Sequence, residues 1–367
     1  MQERFIGQLL LTGIPGATLD SETAARLRAL QPGGYILFGR NIETPEQLRK
    51  LTDDLRDLSE IEPMITIDQE GGRVSRLKLI GHEPPNAQQL RYKNDPSLIT
   101  MHGRLTGKLL RLFGFNLDLC PVLDISWDDE ADNSLRGRCW GGEPQEVISK
   151  AGIFNAGLRR EGILSCGKHF PGYASATVDP HHELPLITKT SEQMDAEELL
   201  PFSALLTELD SIMACHASYP CYEMRPRWPA SLSKNIITGL LRNRMGYEGL
   251  VMTDDLDMGA ILNEVTFEQA IQDAVTAGND MVMICHRLEM VELAKKHLAD
   301  LPEVVLQTAW ERMDNFKKRM APPTKFSIEA HQELDAKVWD LRVAVMGEEL
   351  ASQRSPEDGK RSPVEIY

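Results

Sequence analysis

Short apolar runs recur along this chain, with a helix-like stretch between successive runs, and this alternation constrains the fold more than any other feature. The runs span residues 34–38, 64–67, 115–119, 163–166, 211–214, 249–252 and 280–284. Amphipathic segments that open with Thr, Ser or Pro lie between them, at 44–58, 97–113, 144–161 and 191–206. Strands that alternate with helices are typical of a parallel sheet covered by helices. The pattern therefore predicts an α/β fold.

Polar and ionisable residues follow these runs directly, where each predicted strand ends. Examples are DQEGGR (68–73), PVLD (121–124), GKHFPG (167–172) and TDDLDM (253–258). In a (β/α)8 barrel this end carries the active site, whereas a doubly wound sheet binds its ligand at one switch point. Neither GxGxxG nor GxxxxGK[ST] follows a run, so the nucleotide-binding alternative lacks its phosphate loop. We predict a single (β/α)8 TIM-type barrel over 1–320, with a C-terminal helical extension and polar tail over 321–367.

Charge and cysteine content exclude several function classes. The chain has 40 Lys and Arg against 55 Asp and Glu, a formal charge of -15 that repels phosphate backbones and anionic membranes. We expect no nucleic-acid partner and no membrane association. The first residues form an apolar stretch too short to span a bilayer and lack a basic leader, which favours a cytoplasmic location. The six cysteines form no CxxC pair and no zinc-finger spacing, which favours free thiols.

Several motifs together resemble one family of enzymes. They are IDQEGGRVSRL (67–77), NLDLCPVLDI (116–125), GKHFPG followed by DPHHELP (179–185), and VMTDDLDM (251–258). In this order they resemble the β-N-acetylhexosaminidases of glycoside hydrolase family three, the NagZ type. The resemblance extends from about residue 32 to about residue 286. It implies a TIM-type barrel and a retaining glycosidase that uses no cofactor.

Retaining hydrolysis needs a carboxylate below the anomeric carbon and a proton donor beside the leaving oxygen. Asp254 is the first carboxylate after the buried run at 249–252, and the resemblance assigns it as the catalytic nucleophile. The alternative is that Asp254 or Asp255 caps a helix that begins at Leu256. We expect Asp255 to have the capping or supporting role.

The resemblance implies that His181 is the catalytic acid/base and that Asp179 is its partner. A residue before proline favours an extended backbone, in which side chains two residues apart point the same way. Asp179 can then hold one imidazole nitrogen while the other faces the glycosidic oxygen. The alternative is an exposed loop histidine. Two residues depart from the family pattern, Tyr173 in KHFPGYA and Pro180 between the two dyad members.

Sugar recognition needs charged or amide groups that bond hydroxyls. The resemblance assigns Asp68, Arg138, Lys168 and His169 to substrate binding. For Lys168 the alternative is a structural ion pair with a strand-end carboxylate, and for Arg138 it is a surface charge. We expect Asp118 and Asp124 in NLDLCPVLD to anchor the strand end.

No metal is predicted, because His216 and His286 have no partners at metal-ligand spacing in the sequence. Each is expected to be a hydrogen-bonded group at the barrel rim.

By family, the expected substrate is a small carbohydrate, GlcNAc linked to 1,6-anhydro-N-acetylmuramic acid in recycled cell-wall (muropeptide) fragments. The alternatives are a family-three β-glucosidase, a β-N-acetylglucosaminide phosphorylase and a catalytically silent sugar-binding barrel. The retained Asp254 and the Asp179–His181 pair favour catalysis over the silent barrel.

Overall fold

Eight parallel strands of the protein close into a barrel. The computed structural model describes residues 3–130, 133–174, 176 and 182–355. The strands are β1 (Leu10–Gly13), β2 (Gly34–Leu37), β3 (Met64–Ile67), β4 (Gln69–Gly71), β5 (Val74–Ser75), β6 (Leu117–Asp118), β7 (Leu164–Phe170), β8 (Ser211–Ala214), β9 (Leu250–Asp255) and β10 (Met281–Ile284). The closed order is β1-β10-β9-β8-β7-β6-β3-β2, and β4 pairs with β5 in a separate antiparallel hairpin.

Helices follow the strands and cover the outside of the barrel. The α-helices are α1 (Glu3–Gly7), α2 (Ser21–Leu30), α3 (Pro45–Leu58), α4 (Ala87–Lys93), α5 (Pro96–Leu112), α6 (Pro144–Arg160), α7 (Ser191–Ala196), α8 (Leu199–Leu205), α9 (Gly259–Leu262), α10 (Phe267–Ala277), α11 (Leu288–Ala299), α12 (Glu303–Lys317), α13 (Ile328–Met346) and α14 (Glu348–Ala351). A π-helix covers Asn235–Arg244. Side-chain caps start several of these helices, as where Thr44 accepts from the backbone N–H of Gln47 before α3.

Side chains along each strand alternate between two apolar clusters. In β10, Met281 and Met283 belong to the cluster inside the barrel, whereas Val282 and Ile284 pack between sheet and helices. Every barrel strand contributes to the inner cluster. Because successive strand residues point to opposite faces, each position in step with the inner cluster points into the barrel.

Helix α12 covers the end of the barrel at which the strands begin. Phe316 joins the inner cluster. Arg312 Nη1 lies 3.2 Å from Oδ1 of Asp280, directly before β10, and Lys317 Nζ donates to Gln8 Oε1 at 2.7 Å, shortly before β1. The mouth where the strands end is therefore the face left for a ligand, as in other barrels of this type.

The predicted (β/α)8 barrel is confirmed, and each of the predicted runs overlaps one of its strands. The remaining strand, β1, was not predicted, because its four residues were weighed only as part of a short apolar N-terminal stretch. Strand β7 extends to Phe170, beyond the predicted end at residue 166. Lys168 and His169 therefore belong to the strand itself.

The helix predicted over 191–206 is two helices, α7 and α8. Pro201 lies in the first turn of α8 and has no N–H to bond the carbonyl of residue 197. The chain turns at Glu197, with φ -125° and ψ -88°, and Glu198 is left 1% exposed.

Residues beyond 320 pack against the barrel helices. The Phe113 ring lies 5.9 Å from that of Phe326 and 5.3 Å from that of His331, between centroids. Arg342 Nη1 donates to Glu83 Oε1 at 3.1 Å. The division of the chain at residue 320 stays a prediction. Within the described ranges, none of the helices combines the length and the apolar character that crossing a bilayer requires.

Candidate active site

Three of the predicted site residues continue the inward-facing series of their strands. Each of them lies an even number of residues after an apolar residue of the inner cluster. The pairs are Met64 and Asp68, Cys166 and Lys168, and Met252 and Asp254. Alternation therefore brings Asp68, Lys168 and Asp254 to the mouth of the barrel from three different strands. Asp68 and Lys168 are buried, whereas Asp254 is half-buried.

A buried ion network joins the segment after β3, strand β4, strand β7 and the loop that precedes α6. Lys168 Nζ lies 2.6 Å from Asp68 Oδ1 and 2.8 Å from Glu70 Oε1. Arg138 forks onto Glu70, with Nε 2.7 Å from Oε2 and Nη2 2.7 Å from Oε1. Arg138 is therefore not the surface charge that was the alternative. Lys168 does form the structural ion pair that was its alternative, and this pairing holds the ammonium group beside Asp68 and Glu70.

Sequence reasoning missed Glu70, which links Lys168 to Arg138. Burial alone would raise the pKa of the Glu70 carboxyl, but the charges of Arg138 and Lys168 outweigh burial and hold this pKa well below its usual range. Burial would likewise lower the pKa of Lys168, yet Asp68 and Glu70 raise it. Glu70 and Lys168 are therefore charged near neutral pH. A signal was available in the DQEGG motif, where Asp68 and Glu70 are two residues apart.

Asp124 fixes the position of His169. Asp124 Oδ2 lies 2.7 Å from His169 Nδ1 and accepts the His169 backbone N–H at 3.0 Å, while Oδ1 accepts the Tyr173 backbone N–H at 2.9 Å. Nδ1 therefore carries a proton, and Nε2 is the nitrogen that can meet a ligand. The expectation that Asp124 anchors a strand end is confirmed. Tyr173, one of the two family departures, is buried with its hydroxyl 3.2 Å from Ser134 Oγ.

The two carboxylates at the end of β9 have different surroundings. Asp254 Oδ1 accepts the backbone N–H of Asp255 at 2.8 Å. Asp255 Oδ1 accepts the backbone N–H groups of Asp257 at 3.0 Å and Cys285 at 3.2 Å. Burial, together with the negative charges of Asp257 and Asp254, raises the pKa of Asp255 to about 7.

The capping alternative for Asp254 and Asp255 is wrong. Helix α9 begins at Gly259, not at Leu256, and its N-cap residue is Met258, which makes no side-chain capping bond. The backbone N–H of Leu256 donates to the carbonyl of Met283, so the chain at residue 256 still follows the neighbouring strand. Asp255 instead ties the end of β9 to that of β10.

The predicted acid/base pair, Asp179 and His181, lies outside the described residues, so its role stays a prediction. The loop that carries it leaves β7 after Phe170 and is described again from residue 182 to α7. Glu183, the nearest carboxylic acid in the described part of this loop, is exposed.

The histidines at the rim are hydrogen-bonded. His216 Nδ1 lies 2.8 Å from Ser231 Oγ, and its Nε2 lies 3.0 Å from the carbonyl oxygen of Asp255. The expectation that His216 is a satisfied rim group is therefore confirmed.

One group of potential metal ligands is present among the described residues. Asp255, Cys285 and His286 place their ligand atoms within 4.8 Å of one another, so His286 has neighbours in space that the sequence spacing does not show. The sequence spacing could not reveal Asp255, which comes from the neighbouring strand. Arg40 Nη1 lies 3.1 Å from His286 Nδ1 and can only donate, so a neutral ring carries its proton on Nε2, which faces Asp255 Oδ2 at 3.4 Å. This tautomer suits a hydrogen-bonded group better than a metal site.

Comparison with known proteins identifies the family. The sequence model described as "Glycosyl hydrolase family 3 N terminal domain" matches residues 1–321. The chain belongs to glycosyl hydrolase family 3. The earlier resemblance is thereby confirmed, and this family 3 chain is a glycoside hydrolase.

Curated relatives and solved structures agree with this family. A β-hexosaminidase of Chromobacterium violaceum is 33% identical over 311 residues, covering 83% of this chain and 86% of the relative. A β-hexosaminidase of Alkalilimnicola ehrlichii is 33% identical over 322 residues, covering 84% and 91%. The structure of a family 3 β-N-acetylglucosaminidase from Paenibacillus sp. str. FPU-7 has a TM-score of 0.87 at 29% identity, covering 94% of this chain and 69% of that one.

Proposed function

We propose that this family 3 hydrolase is a retaining exo-β-N-acetylglucosaminidase. The main support is the half-buried carboxylate of Asp254. Asp254 continues the inward-facing residues of β9 and so reaches the mouth of the barrel, where the polar side chains of the ion network also lie. The names of the curated relatives, β-hexosaminidases that match over most of their length, support the choice of sugar. The substrate is a terminal β-linked GlcNAc, and the fragment that carries it is a muropeptide of recycled cell wall in the cytoplasm.

Asp254 acts as the nucleophile in two displacements. In the first, an Asp254 oxygen forms a bond to the anomeric carbon while the bond to the aglycone oxygen breaks, and His181 gives its proton to that oxygen. In the second, His181 takes a proton from water, whose oxygen attacks the anomeric carbon and releases Asp254. Two inversions leave the product in the β-configuration. Asp179 orients His181 and stabilises its charged form.

Four polar side chains hold the sugar. Asp68 accepts from hydroxyl groups, while Lys168 and Arg138 donate to hydroxyl oxygens from positions that Glu70 fixes. His169 presents Nε2 because Asp124 occupies Nδ1. Charged groups held in place before binding lose little entropy when the substrate arrives, which favours catalysis.

Labelling with a slow 2-fluoro sugar substrate tests the nucleophile. The covalent adduct should appear on the peptide that contains Asp254, and Asp254→Asn should lower kcat by about a thousandfold or more while its melting temperature stays near that of the wild type. Asp255→Asn is the matched control and should still form the adduct. An adduct on another peptide, or an active Asp254→Asn variant, would reject the assignment.

A second assay tests the acid/base and the reaction class. His181→Ala should slow an alkyl β-GlcNAc glycoside much more than an activated aryl glycoside, because a poorer leaving group needs more protonation. A uniform loss would assign the proton to another group, with Glu183 the first to test. Faster cleavage of β-glucosides would favour the β-glucosidase, GlcNAc-1-phosphate formed in phosphate buffer would favour the phosphorylase, and no turnover would favour the silent barrel.

A further inference from the structure

Trp127 is an exposed aromatic residue whose ring is nevertheless held in one place. The residue is 44% exposed, yet its indole N–H donates to Glu198 Oε1 at 3.0 Å. Lys189 Nζ lies over the ring, 4.2 Å from its centroid, and is itself paired with Glu197 at 2.6 Å and Glu198 at 2.8 Å. An indole fixed at its edge and over one face can offer the rest of its surface to a ligand without losing further rotamer freedom.

The cluster of Trp127, Lys189 and Glu198 lies where two loops of the barrel mouth meet. Trp127 is on the loop that leaves the barrel after β6, and Lys189 ends the loop between β7 and α7. Glu198 packs against Gly172, which lies at the start of that second loop. The contact is close, since a Cβ added to Gly172 would lie 2.9 Å from the Cβ of Glu198. The cluster therefore borders both described ends of the β7–α7 loop.

This position lies on the leaving-group side of the proposed reaction. A general acid must stand beside the oxygen that joins the sugar to its aglycone. The proposed acid is carried by the β7–α7 loop, so the aglycone leaves the barrel along the part of the mouth that this loop borders. Trp127 is an exposed aromatic residue at this part of the mouth.

We propose that Trp127 is the platform of an aglycone subsite that takes a second hexopyranose ring. This inference rests on the proposed function. The C–H face of a pyranose is apolar and packs against an aromatic face, while its hydroxyl groups remain free to bond water or protein. Lys189 and Glu198 are positioning residues, since they hold the indole without occupying the whole ring. A small alkyl aglycone is too short to use this surface.

The test compares two substrates that differ only in the aglycone, N,N′-diacetylchitobiose and methyl β-GlcNAc. Trp127→Ala should lower kcat/KM for the disaccharide by about tenfold, equivalent to about 1.4 kcal/mol, and should change that for the methyl glycoside by less than about twofold. Trp127→Tyr keeps an aromatic face and should recover most of the disaccharide rate. Trp310→Ala is the matched control, because α12 lies at the opposite end of the barrel, and it should not alter the ratio between the two substrates.

The substrate ratio separates this subsite from a general structural role. Equal losses on both substrates in Trp127→Ala, or an unchanged rate on the disaccharide, would reject the subsite while leaving the proposed function intact. A wild-type enzyme that cleaves neither substrate would reject both. Melting temperatures of both Trp127 variants identify any loss that comes from unfolding.

Discussion

Replacing Glu70 with glutamine removes a negative charge that Arg138 and Lys168 share. Three charge-assisted hydrogen bonds reach the carboxylate, at 2.7 Å and 2.7 Å from Arg138 and 2.8 Å from Lys168. A bond between charged groups contributes about 1 kcal/mol more than a neutral one, so the loss is about 3 kcal/mol. The amide NH2 of glutamine also meets a donor of Arg138, so one of the three bonds cannot reform.

Thermal unfolding and enzyme kinetics measure this loss separately. For 367 residues, an unfolding entropy of about 2.1 cal/mol/K per residue converts about 3 kcal/mol into a fall in Tm of about 4 °C. If the same interactions position the sugar in the transition state, kcat/KM falls by about a hundredfold. The control is Asp53→Asn, which removes one partner of the Arg49–Asp53 pair at 2.9 Å, where Asp53 is 44% exposed. It should cost less than about 1 kcal/mol.

Two results would refute the reasoning about Glu70. A Glu70→Gln variant with the Tm of the wild type would show that the network does not stabilise the fold. A lower Tm with an unchanged kcat/KM would restrict Glu70 to a structural role and separate it from the positioning of Lys168 and Arg138.

Two further predictions concern pH. Burial, with Asp257 and Asp254, raises the pKa of Asp255 to about 7, so the native protein binds a proton that the unfolded chain has already released, and stability falls as the pH rises from about 4 to about 7. Asp255→Asn should remove this fall, so the Tm of the variant should rise relative to that of the wild type as the pH increases across this window. A Tm difference that stays constant with pH would contradict the prediction. Burial lowers the pKa of Lys317 to about 7, so the unfolded chain binds the extra proton and stability rises between about pH 7 and pH 10. Lys317→Met should lack this rise in urea denaturation, and an equal rise in both proteins would count against it.

The sequence patterns that identified most of the barrel depend on local periodicity. Apolar runs such as Met64–Ile67 and Ser211–Ala214 match their strands at both ends, because burial on two faces leaves an uninterrupted apolar signature. Strand β7 is longer than the apolar run that predicted it, because it continues through the charged residue Lys168. Lys168 can lie in a buried strand because Asp68 and Glu70 neutralise its charge. Those partners are distant in sequence, so periodicity could not include them.

The candidate site was predictable at positions where alternation continues a strand. Asp68, Lys168 and Asp254 follow from that rule together with the family motifs. Glu70 and Asp124 act through Arg138 and His169, which are distant from them in the sequence, so the spacing of residues does not show these partners. The only local signs were the two-residue spacing of Glu70 from Asp68 in DQEGG and the position of Asp124 after a strand. The helix start predicted at Leu256 was wrong for a similar reason, because the contact of residue 256 with Met283 on the neighbouring strand is also invisible in the local sequence.

The closure of the barrel makes its first strand depend on its last. Leu11 of β1 pairs with Gly34 on one side and with Met283 on the other, so the ring is completed only when residues from near the two ends of the barrel meet. During translation β1 and β2 emerge early, but an open sheet edge persists until β10 has left the ribosome. Such long-range pairing raises the contact order, which slows folding and prolongs the exposure of unpaired strand edges to other chains. Production of this enzyme should therefore be more sensitive to synthesis rate and to chaperone supply than the stability of the finished barrel suggests.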